Sequence, residues 1–475
     1  MSNFISRRSF LKAAGVSVAA LGLAACGGSS SSTTAGSTPA SSAASAAASG
    51  KPYDGVVLHY AATDTEATGK EMQDLVKMVK EKTGIQIDFT IIPKAEPGEV
   101  DKRLVSLQAG DELDIVYGTT AQLKVFYDAG VLRPLDEYAS AAGYDAASVF
   151  GDSIPVYSDG QMYGLPAFND VWCTYVNTKV FENAGVEIPT ADGWTWEKYI
   201  ETAKKLTNVD EEIYGSLMLD YDCYNYMYAL QKGAEHYKAD GTSNYDDPRF
   251  AESVRFFYGL GNEEKIQPDI TTYKAGVYPW NAFPSTGTAD ANGKYSKAQF
   301  GMFVCGSWAA SMLPNTEKYP RDWKCAILPF PYPEGEQPST LTVSGCYAVP
   351  ATSKNPEAAF EAVRCIAENQ YALGYGRVPA RIDLSDADIT DYIENGLVST
   401  YQATDDISAE QFKAAWFNAD RKVLSEKVVG TADTTISQIW VSEAPLYGMG
   451  QQDLDTTMKN IFDRSNEAIK EAELY

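Results

Sequence analysis

The stretch of sequence that decides the fold covers residues 164–207 and reads GLPAFNDVWCTYVNTKVFENAGVEIPTADGWTWEKYIETAKKLT. Residues 171–176 are β-rich and mostly apolar, which predicts a buried strand after a break at residues 164–166. Asn177 is a predicted N-cap for a short helix over residues 178–184, which a glycine ends. The segment is therefore expected to pass directly from a strand into a helix.

A second helix is expected after a loop at residues 189–193. Thr195 is its predicted N-cap. Tyr199, Ala203 and Leu206 recur at helical spacing behind it and indicate one apolar face.

The order of these pieces, YVNTKVFENAGV followed by a loop and TWEKYIETAKKLT, resembles the extracellular solute-binding proteins of bacterial ABC importers. The similarity is to the carbohydrate-binding family that includes maltose-binding protein, and it extends over nearly all of residues 51–475. The resemblance implies a two-lobed α/β fold of the type II periplasmic-binding-protein class. In that fold each lobe is a sheet flanked by helices, and a ligand cleft lies between the lobes.

The chain before this stretch alternates between strand and helix patterns. Strands are predicted at residues 54–62, 85–92 and 114–117, and helices at residues 68–82, 100–108 and 121–129. This alternation is the doubly wound pattern, whose ligand-facing loops lie at the carboxyl ends of the strands. Polar residues follow two of these strands, and they are expected at a crevice: Thr63, Asp64, Thr119 and Thr120.

The N-terminal 26 residues are predicted to be a targeting segment rather than part of the fold. Ser6-Arg7-Arg8-Ser9-Phe10-Leu11-Lys12 matches the twin-arginine export motif, and Leu23-Ala24-Ala25-Cys26 resembles a lipobox. Residues 27–52 are dominated by Ser, Ala, Gly and Thr, which predicts a flexible tether. Cys26 is thus expected to carry a lipid that holds the protein at the outer face of the cytoplasmic membrane. An ordinary signal peptide with an incidental cysteine is the alternative.

Charge and composition limit the possible partners. The chain has 39 Lys and Arg against 64 Asp and Glu, a formal net charge of −25, which argues against nucleic acid and against direct adhesion to anionic lipid. The balance suits a neutral or cationic ligand. The two histidines have no metal-ligand spacing, and no metal or cofactor is predicted.

Six cysteines remain in the body once Cys26 is assigned to lipid. They are widely spaced, and their sequence leaves two interpretations open, namely disulfides of unknown connectivity or buried free thiols. The six are Cys173, Cys223, Cys305, Cys325, Cys346 and Cys365.

Aromatic and polar residues at loop positions are the candidate ligand contacts, because a sugar presents apolar C–H faces and a rim of hydroxyls. For Trp308 the resemblance implies a Gly-x-Trp turn that faces the ligand. The candidate platforms are Trp172, Trp280, Trp308 and Trp440, and the candidate hydroxyl partners are Asp64, Asn169, Asp170, Asp222, Arg377 and Thr119.

The resemblance implies a non-catalytic, monomeric binding protein that captures an extracellular carbohydrate and delivers it to the transmembrane subunits of an ABC permease. Lobe one is predicted over residues 53–167 and 329–384, and lobe two over residues 168–328 and 385–475. Two alternatives stay open. One is a binding protein for another solute, such as a peptide or a polyamine. The other is a secreted lipid-anchored glycosidase, since abundant carboxylates leave a catalytic pair possible.

Overall fold

The computed structural model describes residues 51–95, 100–218, 221–276, 278, 282–283 and 299–472. The strands are β1 Val57–Ala62, β2 Gln86–Ile91, β3 Val116–Thr119, β4 Leu165–Asn177, β5 Ile213–Leu217, β6 Gln299–Gly306, β7 Cys325–Pro329, β8 Ser339–Ala348 and β9 Lys422–Ser425.

Helices surround these strands. They are α1 Asp64–Ala67, α2 Lys70–Thr83, α3 Lys102–Ala109, α4 Thr120–Asp128, α5 Asp136–Ala141, α6 Ala146–Phe150, α7 Thr178–Ala184, α8 Trp196–Leu206, α9 Asp222–Gln231, α10 Pro248–Asn262, α11 Ile270–Lys274, α12 Pro356–Asn369, α13 Asp386–Asp391, α14 Ser399–Tyr401, α15 Ala409–Trp416, α16 Asp433–Gly448 and α17 Leu454–Ala472. A 3₁₀ segment at Ser307–Met312 follows β6, and a π-helical segment at Tyr392–Val398 joins α13 to α14. The predicted α/β class is confirmed.

Strand β4 is the central element, because it changes its partners halfway along. Its first part pairs antiparallel with β8, from Leu165 opposite Tyr347 to Val171 opposite Thr342. From Trp172 onwards it pairs antiparallel with both β6 and β7. In the described part of the chain the order β3-β8-β4-β6-β5 results, while β1 and β2 form a separate parallel pair.

Apolar side chains collect on the two parts of β4 in different clusters. Leu165, Ala167 and Phe168 pack with residues of β1, α2 and α12. Trp172 and Tyr175 belong instead to a larger cluster built with α8, α9, α10 and α17. A third cluster packs β3, α3 and α4 against β8. One strand therefore links two separate cores.

Local signals located several helices correctly. Asn177 accepts from the backbone N–H groups of Lys179 and Val180 at the start of α7, as predicted. Thr195 caps α8 in the same way, and α17 covers the predicted residues 454–472. These helices form where capping residues and apolar spacing agree.

Two local predictions were wrong. The expected break at residues 164–166 is instead the beginning of β4, because a shift of register between Pro166 and Phe168 accommodates the missing N–H of the proline. The expected polar loop after β1 is helical, since Thr63 and Glu66 form a reciprocal capping box that starts α1.

All six body cysteines are free and buried, as the second interpretation of these residues predicted. Across the described ranges, no helix combines the length and the apolar character that crossing a membrane requires. Cys26 and the predicted tether, apart from residues 51–52, lie outside the described residues.

Candidate functional site

The turn at the end of β6 presents a tryptophan. The ring of Trp308 lies so close to Gly306 that a Cβ at Gly306 would be 1.8 Å from the ring atom Cζ3. Tyr175 holds the turn in place, since its hydroxyl donates to the carbonyls of Gly306 at 3.0 Å and Ser307 at 3.1 Å. Trp308 remains half-buried, so part of its indole is accessible.

Trp172 supports Trp308 from the neighbouring strand. The two rings meet edge to face, with centroids 5.4 Å apart and an interplanar angle of 88°. Tyr221, which is half-buried, meets Trp172 in the same manner at 5.9 Å. Trp172 itself is fully buried, and its Nε1 donates to Oε2 of Glu426 at 3.1 Å. The structure thus contains an aromatic cluster of Trp172, Tyr221 and Trp308.

A charged network lies next to this cluster at the point where β4 changes partners. Asp170 has a side chain only 1% exposed, and its Oδ2 lies 2.7 Å from Nη1 of Arg377. Its Oδ1 accepts from Ser307 Oγ at 2.9 Å and from the backbone N–H of Val378 at 3.3 Å. Asp170 therefore connects three separate segments of the chain.

Arg377 completes the network with a second carboxylate. Its Nε donates to Oε1 of Glu71, in the first turn of α2, at 2.9 Å, and its guanidinium lies 4.1 Å from the ring centroid of Phe168. Burial acts to lower the pKa of Arg377, yet Glu71 and Asp170 outweigh it and hold this pKa well above its ordinary value. The guanidinium is accordingly charged and tied to both carboxylates.

A second group of charges adjoins Trp172 through Glu426. Lys427 Nζ lies 2.8 Å from Oε1 of Glu426 and 3.2 Å from Oδ1 of Asp222. Tyr226 donates its hydroxyl to Oδ2 of Asp222 at 3.0 Å and to the carbonyl of Glu426 at 2.9 Å. We call Asp222, Glu426 and Lys427 the charged triad.

Polar hydrogen bonds also surround Asn169, beside Asp170. Its Oδ1 accepts from Ser344 Oγ at 2.6 Å, and its Nδ2 donates to Ser153 Oγ at 2.9 Å. The residue is half-buried, and its amide oxygen and amide nitrogen each have one of these partners, although the nitrogen carries two N–H donors.

The family model for bacterial extracellular solute-binding proteins matches residues 62–373, which is more than half of the chain. The chain belongs to the bacterial extracellular solute-binding proteins. The family predicted from residues 164–207 is confirmed.

Solved structures of solute-binding proteins share the fold. An ABC substrate-binding protein from Listeria monocytogenes, in complex with cycloalternan, covers 88% of this chain and 100% of its own, with a TM-score of 0.70 and 21% identity. A maltose-bound protein of T. maritima covers 88% of this chain and 99% of its own, with a TM-score of 0.63 and 16% identity. These likenesses confirm the two-lobed type II fold.

One sequence relative of this solute-binding protein matches a shorter part of the chain than the solved structures do. A binding protein of Brucella abortus (strain 2308) is 26% identical over 224 residues, which is 46% of this chain and 53% of the relative. The match therefore spans about half the length of that curated relative.

Six of the predicted contacts of this solute-binding protein come together around the change of partners in β4. They are Asn169, Asp170, Trp172, Asp222, Trp308 and Arg377. Thr119 lies nearby, because it pairs with Gly345 of β8, and it is the N-cap residue of α4. Asp64 is exposed in α1, beyond the end of β1.

The other predicted platforms lie elsewhere. Trp440 is fully buried in α16, where its ring packs against Tyr226, Tyr245 and Phe250. Trp280 lies outside the described residues.

Sequence reasoning missed four residues of this region. Glu426 and Lys427 directly follow β9, so the rule that selected Thr119 would have indicated them had that short strand been predicted. No local pattern marks the other two residues. Tyr221 is the N-cap residue of α9 but makes no side-chain capping bond, and Glu71 lies in the first turn of α2. In the part of the chain that the structure describes, no cluster of His, Cys, Asp and Glu could hold a metal ion.

Proposed function

We propose that this solute-binding protein binds an extracellular carbohydrate, delivers it to the transmembrane subunits of an ABC permease and performs no chemistry on it. The observation that carries the proposal is the half-buried Trp308 ring, seated on Gly306 and supported by Trp172 beside two polar networks. A flat apolar surface next to hydrogen-bonding groups matches a sugar, whose C–H face stacks while its hydroxyls exchange hydrogen bonds.

The ligands bound in similar structures support the same substrate class. The Listeria monocytogenes protein is in complex with cycloalternan and the T. maritima protein is bound to maltose. Family membership adds the permease as partner. We propose in addition that the chain acts as a monomer anchored through lipid on Cys26.

Within the proposed site the residues have different roles. Trp308 and Tyr221 are half-buried and would contact the sugar, whereas Trp172 is fully buried and would hold their rings in place. Asn169 and Arg377 would offer hydrogen bonds from the region that joins the lobes. We leave Trp440 out of the site, because its ring packs inside the larger core.

The test is a thermal-shift screen of the purified protein against a library of mono- and oligosaccharides, with peptides and polyamines as competing classes. A ligand that binds only the native state raises the melting temperature by mass action. At a free concentration of 100 times Kd it increases the free energy of unfolding by about 2.7 kcal/mol. We expect a sugar to give the largest shift and to be recovered unchanged after incubation. A shift confined to peptides or polyamines, or hydrolysis of the bound glycoside, would reject the proposal.

A further inference from the structure

The charged triad of Asp222, Glu426 and Lys427 differs from an ordinary surface ion pair in its burial. The side chains of Glu426 and Asp222 are 7% and 9% exposed, whereas that of Lys427 is 31% exposed. The two carboxylates thus lie inside the protein, whereas part of the Lys427 side chain is exposed. Because an ammonium carries three N–H donors, the two carboxylates account for two, and the described residues supply no third acceptor.

The triad is joined to the aromatic cluster through one side chain. Glu426 accepts from Nε1 of Trp172 with Oε2 and contacts Lys427 with Oε1. Trp172 in turn meets both Trp308 and Tyr221 edge to face. The orientation of the rings and the position of the ammonium are therefore fixed by the same carboxylate.

We infer that Lys427 is a specificity-determining residue, whose third N–H donates to a hydroxyl of a neutral sugar while the triad rejects ligands that carry a carboxylate. The inference rests on the proposed function and narrows the substrate class to uncharged carbohydrates. Asp222 and Glu426 act as positioning residues, because they hold the ammonium without reaching the ligand themselves.

Electrostatics explain the rejection of an acidic ligand. The triad contains two carboxylates and one ammonium, so its formal charge is −1. A ligand carboxylate at hydrogen-bond distance from Nζ would lie roughly 4–5 Å from both protein carboxylates, given tetrahedral donors. Since the Coulomb energy falls with the inverse of distance, two repulsions at that range outweigh one attraction at about 3 Å. A hydroxyl oxygen, which is neutral, escapes this penalty.

The experiment titrates the full-length protein by calorimetry with maltotriose, arabinotriose and every other neutral sugar that the thermal-shift screen identifies. Each is compared with a counterpart in which one primary hydroxyl is oxidised to a carboxylate. We expect the acidic counterpart to bind at least about tenfold more weakly, which is the scale of one unfavourable like-charge contact. Lys427→Met should weaken binding of the neutral sugar by about tenfold or more, because a charge-assisted hydrogen bond is lost.

The matched control is Lys422→Met, which removes an exposed ammonium from β9, five positions earlier, and should leave affinity unchanged. Lys427→Met leaves two buried carboxylates without their cation and could therefore unfold the protein. Glu426→Gln avoids this problem: an amide oxygen still accepts from Trp172, and the charge of the triad becomes zero. This variant should reduce the preference for neutral over acidic sugar by about tenfold.

The outcomes separate the two proposals. A wild-type protein that binds no sugar of either kind overturns the proposed function and, with it, the role of Lys427. A wild-type protein that binds a neutral sugar, with unchanged affinity in folded Lys427→Met or unchanged preference in Glu426→Gln, overturns the role of Lys427 alone. A wild-type protein that prefers the acidic counterpart also overturns the role of Lys427 alone.

Discussion

At the scale of single residues, we predict that affinity in the proposed site depends most on the accessible part of the Trp308 indole. Trp308→Ala removes apolar area and ring stacking worth ~1–3 kcal/mol, so Kd for the sugar should rise about tenfold or more. Calorimetry with the sugar found in the screen measures this change. Tyr214→Ala is the control, because it removes a half-buried ring from β5, the terminal strand of the same sheet, and should leave Kd unaltered. A folded Trp308→Ala variant with wild-type affinity would contradict the assignment.

A second residue-scale prediction concerns stability. Arg321 and Asp405 form a two-point ion pair with oxygen–nitrogen distances of 2.8 and 2.7 Å, and their side chains are 1% and 0% exposed. Asp405→Ala leaves the guanidinium buried without its partner and should lower the free energy of unfolding by ~3–5 kcal/mol.

The adjacent residue offers the control for that measurement. Asp406 pairs with Lys324 at 2.6 Å, but the two side chains are 71% and 54% exposed. Asp406→Ala should therefore change the free energy of unfolding by at most about 1 kcal/mol. Urea titration of both variants decides the matter, and equal effects would show that burial does not set the strength of the Arg321 pair.

The sequence supplied candidate tryptophans but, apart from Trp308, could not separate those beside the proposed site from those in the core. Trp172, Trp308 and Trp440 all sit in apolar surroundings along the chain, and their exposure depends on which strands and helices cover them in space. Trp308 was singled out by resemblance to a Gly-x-Trp turn, whereas the burial of Trp440 by Tyr226 and Tyr245 requires contacts between distant segments.

At the scale of elements, the turn between β6 and its 3₁₀ segment should tolerate no side chain at Gly306. A Cβ there would overlap the Trp308 ring, which must then leave its position. Gly306→Ala should therefore weaken sugar binding about as much as Trp308→Ala, by about tenfold or more, although the indole is still present. The measurement is again calorimetry, accompanied by the intrinsic fluorescence of the indole.

Gly259→Ala in α10 is the matched glycine control. A Cβ at this position would have only side-chain atoms of Glu263 near it, at 3.9 Å. Since alanine is the better helix former by about 1 kcal/mol, this variant should keep its affinity and be slightly more stable. Wild-type affinity in Gly306→Ala would mean that the ring can move without consequence for the ligand.

Elements were predicted well where the signal was local and poorly where it was not. Helices α7, α8 and α17 follow from caps and apolar spacing over a few residues. The beginning of β4 at Leu165 was missed because Pro166 is an expected breaker, and only the pairing with β8 reveals that a bulge accommodates it. The partners of β4 lie more than a hundred positions away from it in the sequence, so no local pattern contains them.

At the scale of the whole molecule, we predict that the two lobes rotate towards each other on the ligand. The predicted crossings lie near residues 166–171, 327–330 and 383–393, and a few crossings permit a hinge while each lobe keeps its own core. Leu341 still packs in the larger cluster and Tyr347 in the smaller one, which favours a second crossing within β8 instead. A sugar that touches both lobes binds the closed state better, and only this difference in affinity shifts the equilibrium.

Small-angle scattering with and without saturating sugar measures the closure as a smaller radius of gyration, and a pair of spin labels across the cleft measures it as a shorter distance. Trp308→Ala at the same sugar concentration serves as the control, because it should close less completely. An unchanged radius together with an unchanged label distance would rule out the hinge.

A separate whole-molecule prediction concerns the N-terminal segment. Cys26→Ser should abolish incorporation of a labelled fatty acid, because lipid attaches through the thiol of the lipobox cysteine. Metabolic labelling in a bacterial host checks this, and the six buried body cysteines provide an internal control, since none of them is accessible to a lipid donor. A wild-type protein that takes up no label would assign the segment to an ordinary signal peptide, and label retained in the variant would show that Cys26 is not the site of attachment.

The smaller core, which contains β1, joins segments that are far apart in the sequence, and this has a consequence for biosynthesis. Leu58 and Leu75 pack with Tyr347, Val363 and Ile366, which the ribosome delivers only after nearly three quarters of the chain has been made. Closing so long a loop costs conformational entropy, and contacts between residues far apart in the sequence slow folding. The part of the polypeptide that emerges first is therefore the part whose core is completed late, and until α12 arrives its strands stay available to chaperones, proteases or the export machinery.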